Sequence, residues 1–542
     1  MKKYILPTLT VIGVAIGIVI GIALSQQAQA QRIVYQNGSW HIEQTKVDRL
    51  LQLMETAYVD SLNIDSITDE VMTEMVQKLD PHSAYIPKED LEMVNSELAG
   101  SFSGIGVQFT IQQDTVRIVA VIAGGPSQGV GVLAGDKIVT VDDSIFTGKK
   151  MNNEKVMKTL RGPKGTQVKL GVMRAGSPEI LYFNITRGDI PVNSVDAKFI
   201  IESNNGTKDK AQKIGFVRAN KFGETTYREF ISALAELYAQ GATSYIIDLR
   251  ENSGGYMDQA IRMANEFLNR GEMIVYSQGR AYPRYEAKAD GGGRFKNVPV
   301  VVLIDDFSAS ASEIFAGAMQ DNDRATIIGR RSFGKGLVQQ QMPFDDGSAI
   351  RLTVARYYTP SGRCIQKPYT LGDQSDYEKD LVERWERGEF FSADSVHFTD
   401  TTSYRTKNGR IVHGGGGIMP DVFVGRDTTL NTPWYNRCVN LAYTYQFAYQ
   451  YTDKHRKELS QFKDWQALEQ YLLKQNILRE FVAFAKEKGV EPNEAEIAKS
   501  KPLMVRLLNA YIVRDMLGDE GFFPLFERDD DITKKAIEVL SK

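Results

Sequence analysis

Three short segments carry the residue types from which a hydrolytic centre could be built. Leu249-Arg-Glu-Asn-Ser-Gly-Gly255 ends in adjacent glycines. Asp306-Phe-Ser-Ala-Ser-Ala-Ser-Glu313 offers Ser308, Ser310 and Ser312. Phe333-Gly-Lys-Gly336 sets Lys335 between glycines, ahead of Gln339 and Gln340. A serine hydroxyl becomes a nucleophile only beside a base. The five histidines, His41, His82, His397, His413 and His455, all lie outside these segments, so Lys335 is the candidate base. A lysine serves in that role when burial lowers its pKa, and Phe333, Leu337 and Val338 are apolar neighbours able to bury it. Spacing leaves the three serines equivalent. Adjacent glycines at a strand-to-helix junction let backbone N–H groups face a ligand, and a helix start favours developing negative charge.

Other motifs imitate chemistry and fail on context. Gly125-Pro-Ser-Gln-Gly129 satisfies G-x-S-x-G, but Pro126 and Val130-Gly-Val suit a loop rather than a strand–turn–helix elbow. His413-Gly-Gly-Gly resembles an esterase oxyanion loop, yet it lies far downstream of that motif instead of before it. Gly329-Arg-Arg-Ser-Phe-Gly-Lys335-Gly336 nearly spells a phosphate loop, but Gly336 stands where a Mg²⁺-binding hydroxyl is needed. No H-e-x-x-H or C-x-x-C pattern supports a metal site, and no cofactor is expected.

The elements that must position these segments follow from periodicity. Residues 190–425 alternate strand and helix, which predicts a mainly parallel sheet with helices on its faces. Strands are expected at Lys213–Val217, Ser244–Leu249, Val298–Ile304, Ala325–Ile328 and Ala349–Tyr357. Helices are expected at Thr225–Gln240, Met257–Asn269 and about Ala309–Gln320. Residues 368–410 are polar, with a charged run at Tyr377–Arg387, and read as an insertion. Residues 99–188 are β-rich with Gly-rich turns and a short helix at Glu154–Leu160, a small compact domain. Residues 40–98 read as helical with a packing role, stopped at Asp80-Pro-His-Ser83, and residues 430–542 read as a helical C-terminal domain.

The chain has 542 residues, 42% hydrophobic and 25% charged, with a formal net charge of −3. These values exclude a mainly disordered or multi-span membrane chain and give no basic footprint for nucleic acid. Lys2 and Lys3, the apolar run Tyr4–Leu24 and the Ala28-Gln-Ala30 site read as an export signal, cleaved or kept as an anchor at residues 4–24. The two cysteines, Cys364 and Cys438, leave room for one bridge and no disulfide framework.

The sequence resembles the C-terminal processing peptidases, or tail-specific proteases. These are serine proteases with a Ser–Lys dyad and an embedded PDZ domain. The resemblance rests on Ser308–Glu313, Phe333–Gly336, Asp248–Gly255, Tyr358-Thr-Pro-Ser-Gly-Arg363, Asp80–Ser83 and Gly417-Ile-Met-Pro-Asp421, and spans residues 40–425. It implies an α/β protease core with an inserted β-rich PDZ domain at 99–188, besides the helical lead-in and tail. It places the nucleophile on Ser310, the general base on Lys335 and an orienting amide on Gln339. It assigns the oxyanion hole to the N–H groups of Gly255 and Ala311, and capture of a substrate C-terminus to the PDZ loop Gly104-Ile105-Gly106-Val107. Arg161 would couple the PDZ and protease domains.

The implied function is that of an exported periplasmic or cell-envelope endopeptidase, metal-free, acting on proteins with exposed C-terminal tails. The alternative is an inactive PDZ scaffold or chaperone of the envelope. Cys364, the 368–410 insertion and the C-terminal helices fall outside the family pattern. The helical N- and C-terminal segments are candidates for homodimerisation or adaptor binding, and residues 4–24 for a membrane anchor.

Overall fold

Val300-Val-Val-Leu-Ile304 is buried at every position, so this strand must be covered on both faces. It lies inside a six-stranded sheet in the order Val195–Ser203, Gln212–Ala219, Ser244–Asp248, Val300–Ile304, Thr326–Gly329, Val422–Phe423. The first pair is antiparallel and the other four pairings are parallel. The structure is a computed structural model describing residues 33–36, 39–42 and 45–542, save 97, 113, 123, 175, 204–211, 399 and 401. The apolar run at residues 4–24 and the cleavage site lie outside the described residues. Among the described residues no helix is long and apolar enough to cross a membrane.

The chain divides into two compact units, residues 1–76 and 77–542. In the first, Ile33–Gln36 pairs antiparallel with Ser39–Ile42. The helix Lys46–Ala57 follows, capped reciprocally by Thr45 and Asp48. The expected all-helical reading of residues 40–98 needs correction at two places. Ser39–Ile42 is a strand, and in the second unit Ala84–Ile86 pairs with the strand Ala349–Tyr358, burying Tyr85 and Ile86. Three residues are too few to show a period, so only the partner strand reveals that pairing.

The two faces of the large sheet belong to different cores. Val300, Val302 and Ile304 pack with Phe230, Met263, Phe315 and Ile314 from the helices Thr226–Ala239, Met257–Asn265 and Ala311–Asp321. Val301 and Leu303, with Phe216 and Ile246, pack on Trp434, Phe447, Phe481 and Leu508 from the C-terminal helices. The crossover helices of the α/β unit thus cover one face, and helices between Pro433 and Leu540 cover the other. Ala349–Tyr358, expected in the parallel sheet, belongs instead to a separate antiparallel sheet, Tyr285–Lys288, Met273–Gln278, Ala349–Tyr358, Leu337–Pro343. The insertion is structured, with a helix at Gln374–Glu386 and a hairpin of Ser403–Arg405 with Ile411–His413.

The β-rich region forms its own antiparallel sheet around Val116, Ile118, Ile138, Val156 and Leu170. Its two connections to the rest, Ser101–Gly104 and Gly188–Pro191, pair with each other, as expected of an inserted domain. The G-x-S-x-G match falls here: Pro126–Gly129 is a single helical turn, and Ser127 is buried with its N–H donating to Ile105 O at 2.9 Å. Both cysteines are free thiols.

Phe481 is fully buried in the cluster beneath the second sheet face. Phe481→Ala should cost about 3–5 kcal/mol. Thermal unfolding should show the loss in the same transition as the α/β core. An unshifted core transition would mean the helical layer folds separately.

Candidate active site

The sheet brings the three chemistry-bearing segments to the carboxyl ends of neighbouring strands. Leu249–Gly255 follows Ser244–Asp248, and Asp305–Ser310 joins Val300–Ile304 to the helix Ala311–Asp321. The three serines are not equivalent in space. Ser308 Oγ donates to Leu249 O (2.8 Å) and accepts from Asp305 N (2.9 Å). Ser312 Oγ donates to Asn252 O (2.8 Å). Both are fully buried, and their hydroxyls staple the serine turn to the glycine loop. Ser310 is half-buried and sits at φ 55°, ψ −112°, a left-handed conformation that costs a non-glycine residue about 1–3 kcal/mol.

Gly254 and Gly255 have φ of 103° and 139°, and a Cβ on Gly254 would lie 2.7 Å from Ser310 Cβ and 2.9 Å from Ala311 N. The loop therefore approaches Ser310 as only glycine allows. Asn252 shapes it, donating to Ala219 O at 2.7 Å and accepting from Gly254 N at 2.9 Å. Among the described residues, the N–H groups of Gly255 and Ala311 donate to no protein acceptor. Ala311 follows the serine directly, and Gly255 follows Gly254, which approaches it.

Lys335 Nζ donates to Gln339 Oε1 at 3.1 Å. Gln339 Nε2 in turn donates to His82 O, so the amide's orientation is set from its far end. Burial, and after it the Arg351 charge, hold the Lys335 amine below the ordinary lysine range, against the opposing charges of Glu313 and Asp80. Among the described residues no hydrogen bond joins Ser310 Oγ to Lys335 Nζ. Such contacts are commonly loose without substrate and tighten in the complex.

Two side chains that sequence reasoning gave no role hold the site together. The fully buried Glu313 carboxylate accepts from Ser310 N (2.8 Å), Lys335 N (2.8 Å), Gly334 N (2.7 Å) and Ser332 Oγ (2.5 Å). The buried Tyr357 hydroxyl lies 2.7 Å from Lys335 O and 3.1 Å from Ser310 O. Glu313 thus holds the N–H groups of both residues and Tyr357 bridges their carbonyls. The spacing Ser310-x-x-Glu313 was a readable signal, since it is the capping-box pattern. Tyr357 carried none.

Asp80–Ser83, within a segment expected to have a packing role, supports the lysine. Asp80 accepts from His82 N, Ser83 N and Thr353 Oγ1 at 2.9–3.0 Å, forming the turn that presents His82 O to Gln339. Tyr377, at the head of the insertion, stacks edge-on against both His82 and Phe333, and its hydroxyl is 2.8 Å from His82 Nε2. Lys367 Nζ lies 3.9 Å from the Tyr377 ring centroid and 4.1 Å from that of Phe333. The insertion therefore packs Tyr377 against His82 and Phe333, on either side of the lysine's supports.

Gly104–Val107 lies at the edge of the β-rich domain. Ile105 is buried, Gly106 has φ 78°, and their carbonyls accept from Ser127 N (2.9 Å) and Ile122 N (3.0 Å). Arg161 caps the helix Asn153–Leu160, its guanidinium 4.2 Å over the Phe102 ring and 3.4 Å from Ser96 Oγ. It lines a groove of about 840 Å³ with Met93, Phe102 and Met157.

A sheet carrying a serine turn, a glycine loop and a half-buried lysine, with a β-rich domain inserted, fits the class of serine-type peptidases with a PDZ domain. Residues 213–378 match peptidase family S41 and residues 103–185 match a PDZ domain. The chain is 37% identical over 324 residues to a carboxy-terminal-processing protease of Bartonella bacilliformis, covering 58% of this chain and 71% of that one. It is 34% identical over 339 residues to the carboxy-terminal processing protease CtpA of Bacillus subtilis, covering 62% and 70%. The chain belongs to the carboxy-terminal processing proteases of peptidase family S41. Residues 434–518 match a family of unknown function, DUF8443.

Burial, and after it the Lys335 charge, depress His82 to about 4 from an ordinary 6.5. Between these values the unfolded chain binds a proton there and the native chain does not. Stability from neutral His82 is thus present above pH 6.5 and lost as pH falls toward 4. Relative to His82→Gln, the wild type should lose at most about 3 kcal/mol over that window, measured by denaturant unfolding at each pH. A pH-independent difference would remove this role.

Proposed function

We propose that Ser310 is the nucleophile, Lys335 its general base, and Gly255 and Ala311 N–H the oxyanion donors of an exported endopeptidase that takes proteins by their C-terminal tails. The observation that carries this reading is the shared clamp of Glu313 and Tyr357 on the backbones of Ser310 and Lys335. It couples one serine of three to the lysine whose pKa is lowered.

In the proposed reaction, neutral Lys335 Nζ takes the Ser310 Oγ proton as Oγ attacks the scissile carbonyl carbon. The carbonyl π electrons move onto oxygen, which receives the Gly255 and Ala311 N–H groups. Each such donor is worth about 10²–10³ in rate. The Lys335 ammonium protonates the departing amine as the C–N bond breaks, leaving the acyl-enzyme. Water then attacks that ester, losing its proton to Lys335, and the Lys335 ammonium returns that proton to Ser310 Oγ as the ester C–O bond breaks. Gln339 keeps the amine aimed through both halves.

The PDZ domain, near residues 99–188, would hold the substrate's terminal carboxylate on Gly104–Val107 and pair its strand with the tail. Arg161, between that domain and the helix Lys88–Ser96, would carry the bound state toward the core. Export rests on residues 1–30, cleaved after Ala30 or retained as an anchor at residues 4–24. Homodimerisation or adaptor binding is assigned to the helical N-terminal segment, since the C-terminal helices already spend their apolar faces on the sheet.

Ser310→Ala and Lys335→Ala should each lower cleavage of a protein with a free apolar tail by at least about 10³-fold, with circular dichroism unchanged. Wild-type cleavage should rise with pH as Lys335 loses its proton, at a pH below the ordinary lysine range. Amidating the substrate's C-terminus should slow it. Near-native cleavage by Ser310→Ala would refute the assignment.

A further inference from the structure

Arg250 stands between the last residues of the strand Ser244–Asp248 and the glycine loop, five positions before Gly255. Its side chain points away from the site into the C-terminal helices. Nε and Nη2 form a two-pronged pair with Asp248 (2.8 and 2.7 Å). Nη2 also donates to Glu527 Oε2 at 2.7 Å, and Nη1 to Asp530 Oδ1 at 2.8 Å. Glu527 closes the helix Asp519–Glu527, and Asp530 caps the helix Asp531–Leu540 by accepting from Thr533 N. Thr533 Oγ1 donates to Glu527 Oε2 at 2.8 Å, so the two acids are held by the helical layer itself.

Arg218 extends the contact. It donates to Glu251 Oε2 at 2.6 Å, lies 3.6 Å from Asp248 and 4.0 Å from Glu527, and sits 5.3 Å over the Phe523 ring. Glu251, between Arg250 and Asn252, has φ 61°, so the loop base is bent as well as charged. On its other side the loop is stapled to the serine turn by Ser308, Ala309 and Ser312. The loop is also held to Ala219, Phe222 and Asp305 inside the α/β unit, and Arg250 is the anchor that reaches outside it.

We infer that the C-terminal helices position the oxyanion loop, and that Glu527 and Asp530 are positioning residues for catalysis, acting through Arg250. The inference rests on the reading of Ser310 as nucleophile and of Gly255 N–H as an oxyanion donor. A buried guanidinium keeps its place only while its donors are met. With the two acids neutral, Arg250 retains Asp248 but loses charged acceptors on its outer edge. The backbone at Leu249–Glu251 then relaxes toward solvent, and the Gly255 N–H drifts from where the oxyanion forms. Displacements near 1 Å at such a site cost about 10²-fold in rate.

The test compares the double variant Glu527→Gln/Asp530→Asn with Arg528→Ala and Ser310→Ala in the full chain. Arg528 makes a two-pronged pair with Glu469 (2.8 and 2.8 Å) inside the same helical layer and does not touch Arg250. The double variant should lose about 10-fold or more in kcat with KM unchanged. Its affinity for a peptide aldehyde, whose hemiacetal oxyanion occupies the hole, should fall in parallel. Binding of a non-cleaved tail peptide should not change. Arg528→Ala should lower the melting temperature without moving kcat or aldehyde affinity.

An unchanged kcat in the double variant overturns the inference, as does a loss of kcat without loss of aldehyde affinity, or an equal loss in Arg528→Ala. If the double variant does not fold, Asp530→Asn alone, which keeps a capping side chain, is held to the same criteria with a smaller expected loss. Failure of the underlying reading would show separately, as cleavage retained by Ser310→Ala.

Discussion

A single buried carboxylate sets the geometry on which the rest of the site depends. Glu313 is sealed from solvent and accepts four donors, two of them the backbone N–H groups of Ser310 and Lys335. A charge in that position is tolerable only if its acceptor sites are filled. The serine turn and the lysine loop must therefore stay together or leave the carboxylate stranded. Burial pushes the Glu313 pKa up, and those hydrogen bonds oppose the push. Tyr357 repeats the constraint on the carbonyl side. The strained φ of Ser310 persists because its neighbours over-determine it.

Around that carboxylate, distant segments contribute one surface each. The glycine loop is pinned by the Ser308 and Ser312 hydroxyls. The turn at Asp80–Ser83 supplies a carbonyl that orients Gln339, and the insertion supplies Tyr377 behind it. The C-terminal helices cover the second face of the sheet. They pack on the sheet of the protease core, and residues 434–518 among them match a family of unknown function. A parallel strand that is apolar at every position demands such a layer, and the helices before residue 430 fill only one side.

Much of this was legible in the chain. Alternation of strand and helix over residues 190–425 placed the crossover elements to within a few residues, because helices and strands that long show their period. The scarcity of histidine directed attention to Lys335, and two glycines side by side marked the loop that approaches Ser310. The misses share one cause. Ala84–Ile86 is a strand only because Ala349–Tyr358 is beside it. Tyr357 and Tyr377 look like ordinary aromatic residues until their hydroxyls meet groups tens to hundreds of positions away.

The sequence by itself determined most of the inventory: the longer strands and helices, which loops carry serine, lysine and glycine, and that a β-rich domain interrupts the chain. These are consequences of local propensity and periodicity, which act over a few residues. Only the tertiary structure distinguished the three serines, since it buries the Ser308 and Ser312 hydroxyls against Leu249 O and Asn252 O and leaves Ser310 half-buried at a positive φ. It also decided that the C-terminal helices lie on the sheet, with Arg250 bonded to Glu527 and Asp530. Hydrogen bonds and burial depend on distance in space, and residues 277 and 280 positions apart in the chain have no local pattern to announce them.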